Sequence, residues 1–302
     1  MVTQQHFTRL RPSPLVSLLN KQSGGRSFAF IYVTNQCQLK CAHCSFQSGA
    51  DQLNTKVDGK VLLDFLDQLK GIRDITLSGG EPTLHPDCDA LLFKASEKAG
   101  TVYLMTNGIN LIGKRQLRQL AKGEKLHELV SRLKTSLALY PENLHIFFPL
   151  DSFHLKAFRP FGFLMRGLAR IAGEWNHLAK KPYLGFLSNE ISPAKSHELM
   201  NRFSVKEYTH VGTARFAPWR TAGNVEEWYR VHPLNRVPFA GGIYINYKGV
   251  YLNEAALLMD LREGIATNLK LGDFPSLAEK ENQFAMLYKQ IAVKAGAFHQ
   301  CT

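Results

Sequence analysis

Three cysteines carry the most chemical information in this chain. Cys37, Cys41 and Cys44 stand as C-x3-C-x2-C within TNQCQLKCAHCSF. Thiolates are soft ligands that select zinc, copper(I) or iron–sulfur clusters. Three of them on one short loop can hold three corners of a [4Fe–4S] cube. The fourth iron then stays open to a small chelating molecule, as a three-ligand zinc stays open to substrate. Other chemistries fit the same residues. A tetrahedral structural zinc site would need His43, His85 or Cys88 as a fourth ligand. The thiols could also be buried and unreactive, or two could pair as a disulfide and leave one over.

Such a loop needs a rigid frame, and the surrounding pattern supplies one. Phe28–Val33 (FAFIYV) reads as a strand that ends just before the cysteines. Apolar positions 57, 61, 62, 65, 66 and 69 share one helical face. Asp74–Ser78, Thr101–Thr106, His145–Asp151 and Tyr183–Leu187 read as further strands, with a sixth within Tyr208–Phe216. Helices are expected from about Asp87 to Gly100, near 114–122 and 125–133, and around Phe163–Trp175. Ser192-Pro193 is an N-cap and first-turn proline for another. Six β-then-α units between residues 28 and 216 average roughly 31 residues each, the size of a βα repeat.

Alternation of this kind predicts an α/β fold with a parallel sheet. A closed eight-unit barrel takes ~250 residues, so the count favours a partial (βα)6 TIM-like barrel or an open doubly wound sheet. After Trp219-Arg220 the pattern changes. Ile243–Asn246 and Val250–Asn253 read as a hairpin, and a last helix begins near Ser276. The expected organisation is an N-terminal basic segment (1–27), a core (28–216) and a small C-terminal α+β extension (217–302).

With the second strand in place, Ser78-Gly79-Gly80-Glu81-Pro82 follows it one βα unit after the cysteines. The two motifs together resemble the radical S-adenosylmethionine (radical SAM) superfamily, whose hallmark is C-x3-C-x2-C after the first strand of a partial (βα)6 barrel. His43 matches the aromatic-like residue before the third cysteine. The resemblance covers about residues 28–216. It implies one [4Fe–4S] cluster on Cys37, Cys41 and Cys44, and S-adenosylmethionine contacted by the main chain of Gly79, Gly80, Glu81 and Pro82. It also implies reductive cleavage of that cofactor to a 5′-deoxyadenosyl radical, which takes hydrogen from a peptide or small-metabolite substrate. Thr106, Asn107 and Gly108 resemble a further family pattern.

Departures matter as well. Pro149 stands where many peptide-modifying members have serine, which leaves Asp151, Ser152 and Asn189 as further cofactor candidates and Arg215 as a pocket candidate. Asp151 or Ser152 could instead cap a helix. The tail resembles a cysteine-poor, degenerate SPASM/twitch extension, with Asn253 near the place of a cluster cysteine, so one cluster only is expected. Cys88, Cys301 and His154 are the weak catalytic candidates. No separate leader-binding domain is expected before residue 28, so a peptide would bind barrel and tail directly.

Composition constrains the partners. With 302 residues, 45% apolar and 21% charged, the chain can bury a full core. No apolar run reaches ~18 residues and no secretory signal opens the chain, so it is expected in the cytoplasm, away from the membrane. The formal charge of +12 suits an anionic substrate or an acidic electron donor such as flavodoxin or ferredoxin. Direct nucleic-acid binding is not expected, because the basic residues are dispersed and no recognition motif accompanies them. The basic stretch Lys156–Lys181 could neutralise phosphates, as in a viperin-like nucleotide dehydratase, or form a solvated helix face. A non-catalytic protein with a structural metal site is the alternative of a different class.

Overall fold

The computed structural model describes residues 10–23, 25, 27–41, 44, 46, 48–112, 137–158, 161–177, 181–188, 190, 193–205, 209–210 and 242–251. The elements expected near 114–133, most of the sixth strand and the helix near Ser276 lie outside these residues. So do His43, Asn189, Arg215, Asn253 and Cys301.

The described strands are β1 (Phe28–Thr34), β2 (Ile72–Gly79), β3 (Ala99–Met105), β4 (Leu144–Pro149), β5 (Tyr183–Ser188), β6 (Thr209–His210), β7 (Gly242–Asn246) and β8 (Gly249–Tyr251). The helices are α1 (Pro14–Ser23), α2 (Gly59–Leu66), α3 (Cys88–Lys98), α4 (Ile109–Ile112), α5 (Ser152–Ala157), α6 (Phe161–His177) and α7 (Pro193–Phe203). Short 3-10 turns follow α2 at Asp67–Leu69 and β2 at Pro82–Leu84.

One sheet runs in the order β6-β5-β4-β3-β2-β1-β7-β8. Every pairing is parallel except β7 with β8. From β1 to β6 the order never reverses. A doubly wound sheet must reverse at a switch point, whereas right-handed crossovers between successive neighbours keep all helices on one side. The winding is therefore that of a partial barrel, and the doubly wound alternative falls away.

Strand periodicity divides the two faces. Ala29, Ile31, Ile75, Leu77, Val102, Leu104, Ile146 and Phe148 are fully buried in one core with Leu62, Leu66, Leu91, Leu164 and Trp175 of the helices. The alternate row carries Tyr103, His145, Phe147 and Tyr183, whose rings touch across neighbouring strands, and Phe30, which stacks on Tyr244 of β7. The hairpin is not a separate layer. β7 lies parallel to β1 and occupies the edge that the last strand of a complete barrel would close.

One helix was not expected from the basic N-terminal segment. Ser13 caps α1, its Oγ accepting the Val16 N–H at 3.2 Å, and Pro14 takes the first position. Leu15, Val16 and Leu19 are fully buried. Among the described residues, no helix is long and apolar enough to cross a membrane.

Candidate functional site

The cysteine loop is rooted on two backbone bonds that extend the β1–β2 pairing past the strands. Gly80 N–H donates to Thr34 O at 2.7 Å, and Glu81 N–H to Gln36 O at 2.9 Å. The two glycines are what permit this approach. Gly79 has φ of +130°, and a Cβ there would lie 2.2 Å from Thr34 O. A Cβ at Gly80 would lie 2.5 Å from Gln36 O and 2.6 Å from Asn35 O. On its other side the loop is tied by Cys37 N–H to Gly49 O at 3.0 Å and Asn35 N–H to Thr55 Oγ1 at 3.0 Å.

Two of the cysteine sulfurs accept hydrogen bonds. Cys37 Sγ accepts from Leu39 N–H at 3.3 Å and from Asn107 Nδ2 at 3.8 Å. Cys44 Sγ accepts from Ser48 N–H at 3.3 Å. Donors aimed at sulfur stabilise thiolates, so Cys37 and Cys44 are suited to hold an iron–sulfur cluster. Burial pushes the Cys37 thiol up to about 12, with Glu81, Cys41 and Cys44 adding to the rise. Ligation at Cys37 must therefore release a proton.

Of the three candidate fourth ligands for zinc, His43 lies outside the described residues and the other two are engaged elsewhere. A mononuclear site gathers four ligands around one ion. Among the described residues, no three Cys, His, Asp or Glu side chains are placed to hold such an ion. His85 is engaged at both ring nitrogens, Nε2 with Val57 O at 2.8 Å and Nδ1 with Asp87 N–H at 3.1 Å. Cys88 opens α3 inside the core, where burial raises its thiol to about 12.

Glu81 is fully buried and clamps two loops together. Its Oε1 accepts from Thr83 N–H (3.1 Å), Thr83 Oγ1 (2.6 Å) and Thr106 Oγ1 (2.6 Å); its Oε2 accepts from Asn107 N–H (2.7 Å). Burial lifts this carboxyl above its usual range, against the four donated bonds that pull it down. Thr106 and Asn107 thus stand beside the cysteines because Glu81 holds the end of β3. Asn107 also caps α4, its Oδ1 accepting the Ile109 N–H at 2.9 Å.

At the end of β4, Asp151 has no exposed surface and caps α5 by accepting the His154 N–H at 2.9 Å. The same carboxylate binds His154 Nδ1 at 2.8 and 3.0 Å. Burial opposes protonation of this ring, yet Asp151 and Cys41 raise His154 well above its ordinary range. Ser152 N–H donates to buried Glu190, a residue that carries no motif and that the sequence reading missed. Pro149 sits at the last position of β4, beyond the β3 register that ends at Met105–Phe147, so its missing N–H leaves that ladder intact. The basic stretch is a solvated face where described. Arg166 stacks on Phe163 at 5.0 Å, Arg170 pairs with Glu174 at 3.1 Å, and the opposite side of α6 is buried.

Residues 31–147 match the profile of the Radical SAM superfamily. Among curated proteins, the chain is 37% identical over 92 residues to Fe-coproporphyrin III synthase of Methanosarcina barkeri, covering 29% of this chain and 22% of that protein. It is 32% identical over 94 residues to the antilisterial bacteriocin subtilosin biosynthesis protein AlbA of Bacillus subtilis, covering 29% and 20%. The alignments thus span only about a fifth of those relatives. Among solved structures, Streptococcus suis SuiB aligns over 76% of this chain and 60% of its own at 17% identity and a TM-score of 0.45. BtrN in complex with AdoMet and 2-DOIA aligns over 88% and 87% at 13% identity and a TM-score of 0.43. The cysteine loop and the glycine turn beside it both fall within residues 31–147, which form a domain of the radical SAM superfamily, whose enzymes use a [4Fe–4S] cluster and S-adenosylmethionine.

Proposed function

We propose that this chain is a radical SAM enzyme acting on a peptide or small metabolite. Cys37, Cys41 and Cys44 hold the cluster in this reading. The main chain of Gly79–Pro82, with Thr106 and Asn107 beside it, lines the place for S-adenosylmethionine. When bound, the pair supplies reductive sulfonium cleavage and a 5′-deoxyadenosyl radical that abstracts hydrogen. The observation that carries the reading is the joint between the loop and the glycine turn, with bonds of 2.7 and 2.9 Å. A shift of either segment moves the other, which fixes cluster and cofactor at one geometry.

The protein's own residues position and seclude. Glu81 locks the β2 and β3 loops, and the row of Phe30, Tyr103, Phe147 and Tyr183 offers an apolar concave wall that keeps water from a reactive radical. A core over 28–216 with an extension that closes the barrel is supported by β7 beside β1. Only Cys88 and Cys301 remain beyond the cluster cysteines, which supports a single cluster. A peptide substrate is supported by the relatives named PqqA peptide cyclase and antilisterial bacteriocin subtilosin biosynthesis protein AlbA. The +12 charge supports docking of an acidic flavodoxin or ferredoxin.

Anaerobic reconstitution followed by S-adenosylmethionine and a strong reductant tests the reading. Methionine and 5′-deoxyadenosine form with the native protein and not with Cys41→Ala. Their absence even with candidate peptides and metabolites present would overturn it.

A further inference from the structure

One residue of the C-x3-C spacer reaches out of the cysteine loop. Gln38 Oε1 accepts from Asn107 Nδ2 at 3.2 Å, and Gln38 Nε2 donates to Asn110 Oδ1 at 2.8 Å. Asn110 Nδ2 in turn donates to Thr83 O at 3.2 Å. The main-chain N–H groups of Thr83 and Asn107 are both held by Glu81, so the circuit closes through the glycine turn, the end of β3 and the cysteine loop. The same Asn107 Nδ2 lies 3.8 Å from Cys37 Sγ, and Asn107 is buried.

Chemistry fixes the direction of each bond in this chain of carboxamides. A main-chain N–H only donates, so the Ile109 N–H meets Asn107 Oδ1 and turns the Asn107 NH2 group toward Gln38 and Cys37. An NH2 group also only donates, so Gln38 presents Oε1 to Asn107 and its own NH2 to Asn110. Asn110 then aims its NH2 at Thr83 O, a main-chain oxygen that only accepts. The chain is anchored at both ends by backbone groups, and none of the three carboxamides titrates. Hydrogen bonds to the sulfurs are one of the determinants of iron–sulfur reduction potentials. An added electron makes the thiolates more negative, so an N–H donor held on sulfur favours the reduced form.

We propose that Gln38 and Asn107 form a carboxamide bridge that holds an N–H donor on the Cys37 sulfur and raises the reduction potential of the cluster that Cys37 holds. The bridge rests on the reading of Cys37, Cys41 and Cys44 as cluster ligands. Gln38 is a positioning residue that acts through Asn107, and the carboxamide of Asn107 serves the cysteine ligand rather than substrate.

The test is a redox titration of the reconstituted protein without S-adenosylmethionine, followed by electron paramagnetic resonance. Asn107→Asp keeps an acceptor for the Ile109 N–H while removing the donor at sulfur. Gln38→Met keeps length and neutrality while removing the amide that anchors Asn107, and so separates loss of the bridge from added charge. Asn107→Asp is expected to reduce about tenfold less favourably, a shift of ~59 mV to more negative potential for one electron, and Gln38→Met about threefold, ~28 mV in the same direction. Full iron content with an unchanged midpoint in either variant overturns the bridge alone and leaves the proposed function standing. A second measurement covers variants that fail to assemble a cluster. In the native protein with asparagine labelled with nitrogen-15 at the side-chain amide, pulsed spectroscopy of the reduced cluster should show a weak amide-nitrogen coupling. A reduced cluster without that coupling overturns the bridge. Failure of the native protein to bind any cluster removes the proposed function and the bridge with it.

Discussion

Glu81→Gln separates a clamp from a cofactor ligand. The carboxylate accepts four hydrogen bonds in a fully buried position, three at Oε1 and one at Oε2. A glutamine can place its amide oxygen at the first position and keep those three. Its NH2 group then faces the Asn107 N–H across the former 2.7 Å bond, donor against donor. A buried N–H left without an acceptor costs ~1–3 kcal/mol, and the retained bonds lose their charge assistance. Relief of the carboxylate's desolvation offsets part of this. The net loss is about 2 kcal/mol, a fall of ~4–8 °C in Tm for a domain of this size. Scanning calorimetry of the metal-free, cofactor-free protein reads it directly. Paired with Thr106→Val, Glu81→Ala should be sub-additive by ~0.5–3 kcal/mol, because both remove the same 2.6 Å bond. An unchanged melting temperature together with lost S-adenosylmethionine affinity would refute the clamp and place Glu81 on the cofactor.

Two further outcomes follow from the same geometry. Gly80→Ala sets a Cβ 2.5–2.6 Å from two main-chain oxygens that cannot swing aside, so it should cost ~1–3 kcal/mol and reduce cluster incorporation, read by urea melts and iron content. Native stability and full iron in that variant would show that the glycine joint is dispensable. In the metal-free protein, His154 titrates higher in the folded state than its ordinary ~6.5. Its stabilisation is therefore complete below that value and lost as pH rises through the folded pKa. The stability gap between native protein and His154→Gln should be larger at pH 6 than at pH 9; a gap that widens with pH contradicts this.

Local patterns made much of the fold legible. Alternation within DITLS and TVYLM announced β2 and β3, and the helix-period face at 62, 65, 66 and 69 became the buried side of α2 and its 3-10 extension. The cysteine spacing and the glycine turn pointed to one another because both follow strands that are neighbours in a parallel sheet. What stayed hidden depended on long-range contact. The hairpin at 242–251 read as a separate element, since nothing local says that β7 pairs with β1 across more than two hundred residues. The inward turn of the Glu81 and Asp151 side chains onto N–H groups was not legible, because side-chain exposure cannot be inferred from a motif; the helix-cap alternative for Asp151 is the one the structure displays. Ser13-Pro14 carries the same start signature noted at Ser192-Pro193, and the sequence reading passed over it.

The most direct measurement is electron paramagnetic resonance of the reduced, reconstituted protein before and after S-adenosylmethionine. A cluster held by three cysteines with one open iron predicts about four irons per chain and a spectrum that changes when S-adenosylmethionine binds. Cys41→Ala should lose the signal. A closed or mononuclear site, with bound zinc or a cluster spectrum indifferent to S-adenosylmethionine, would contradict it.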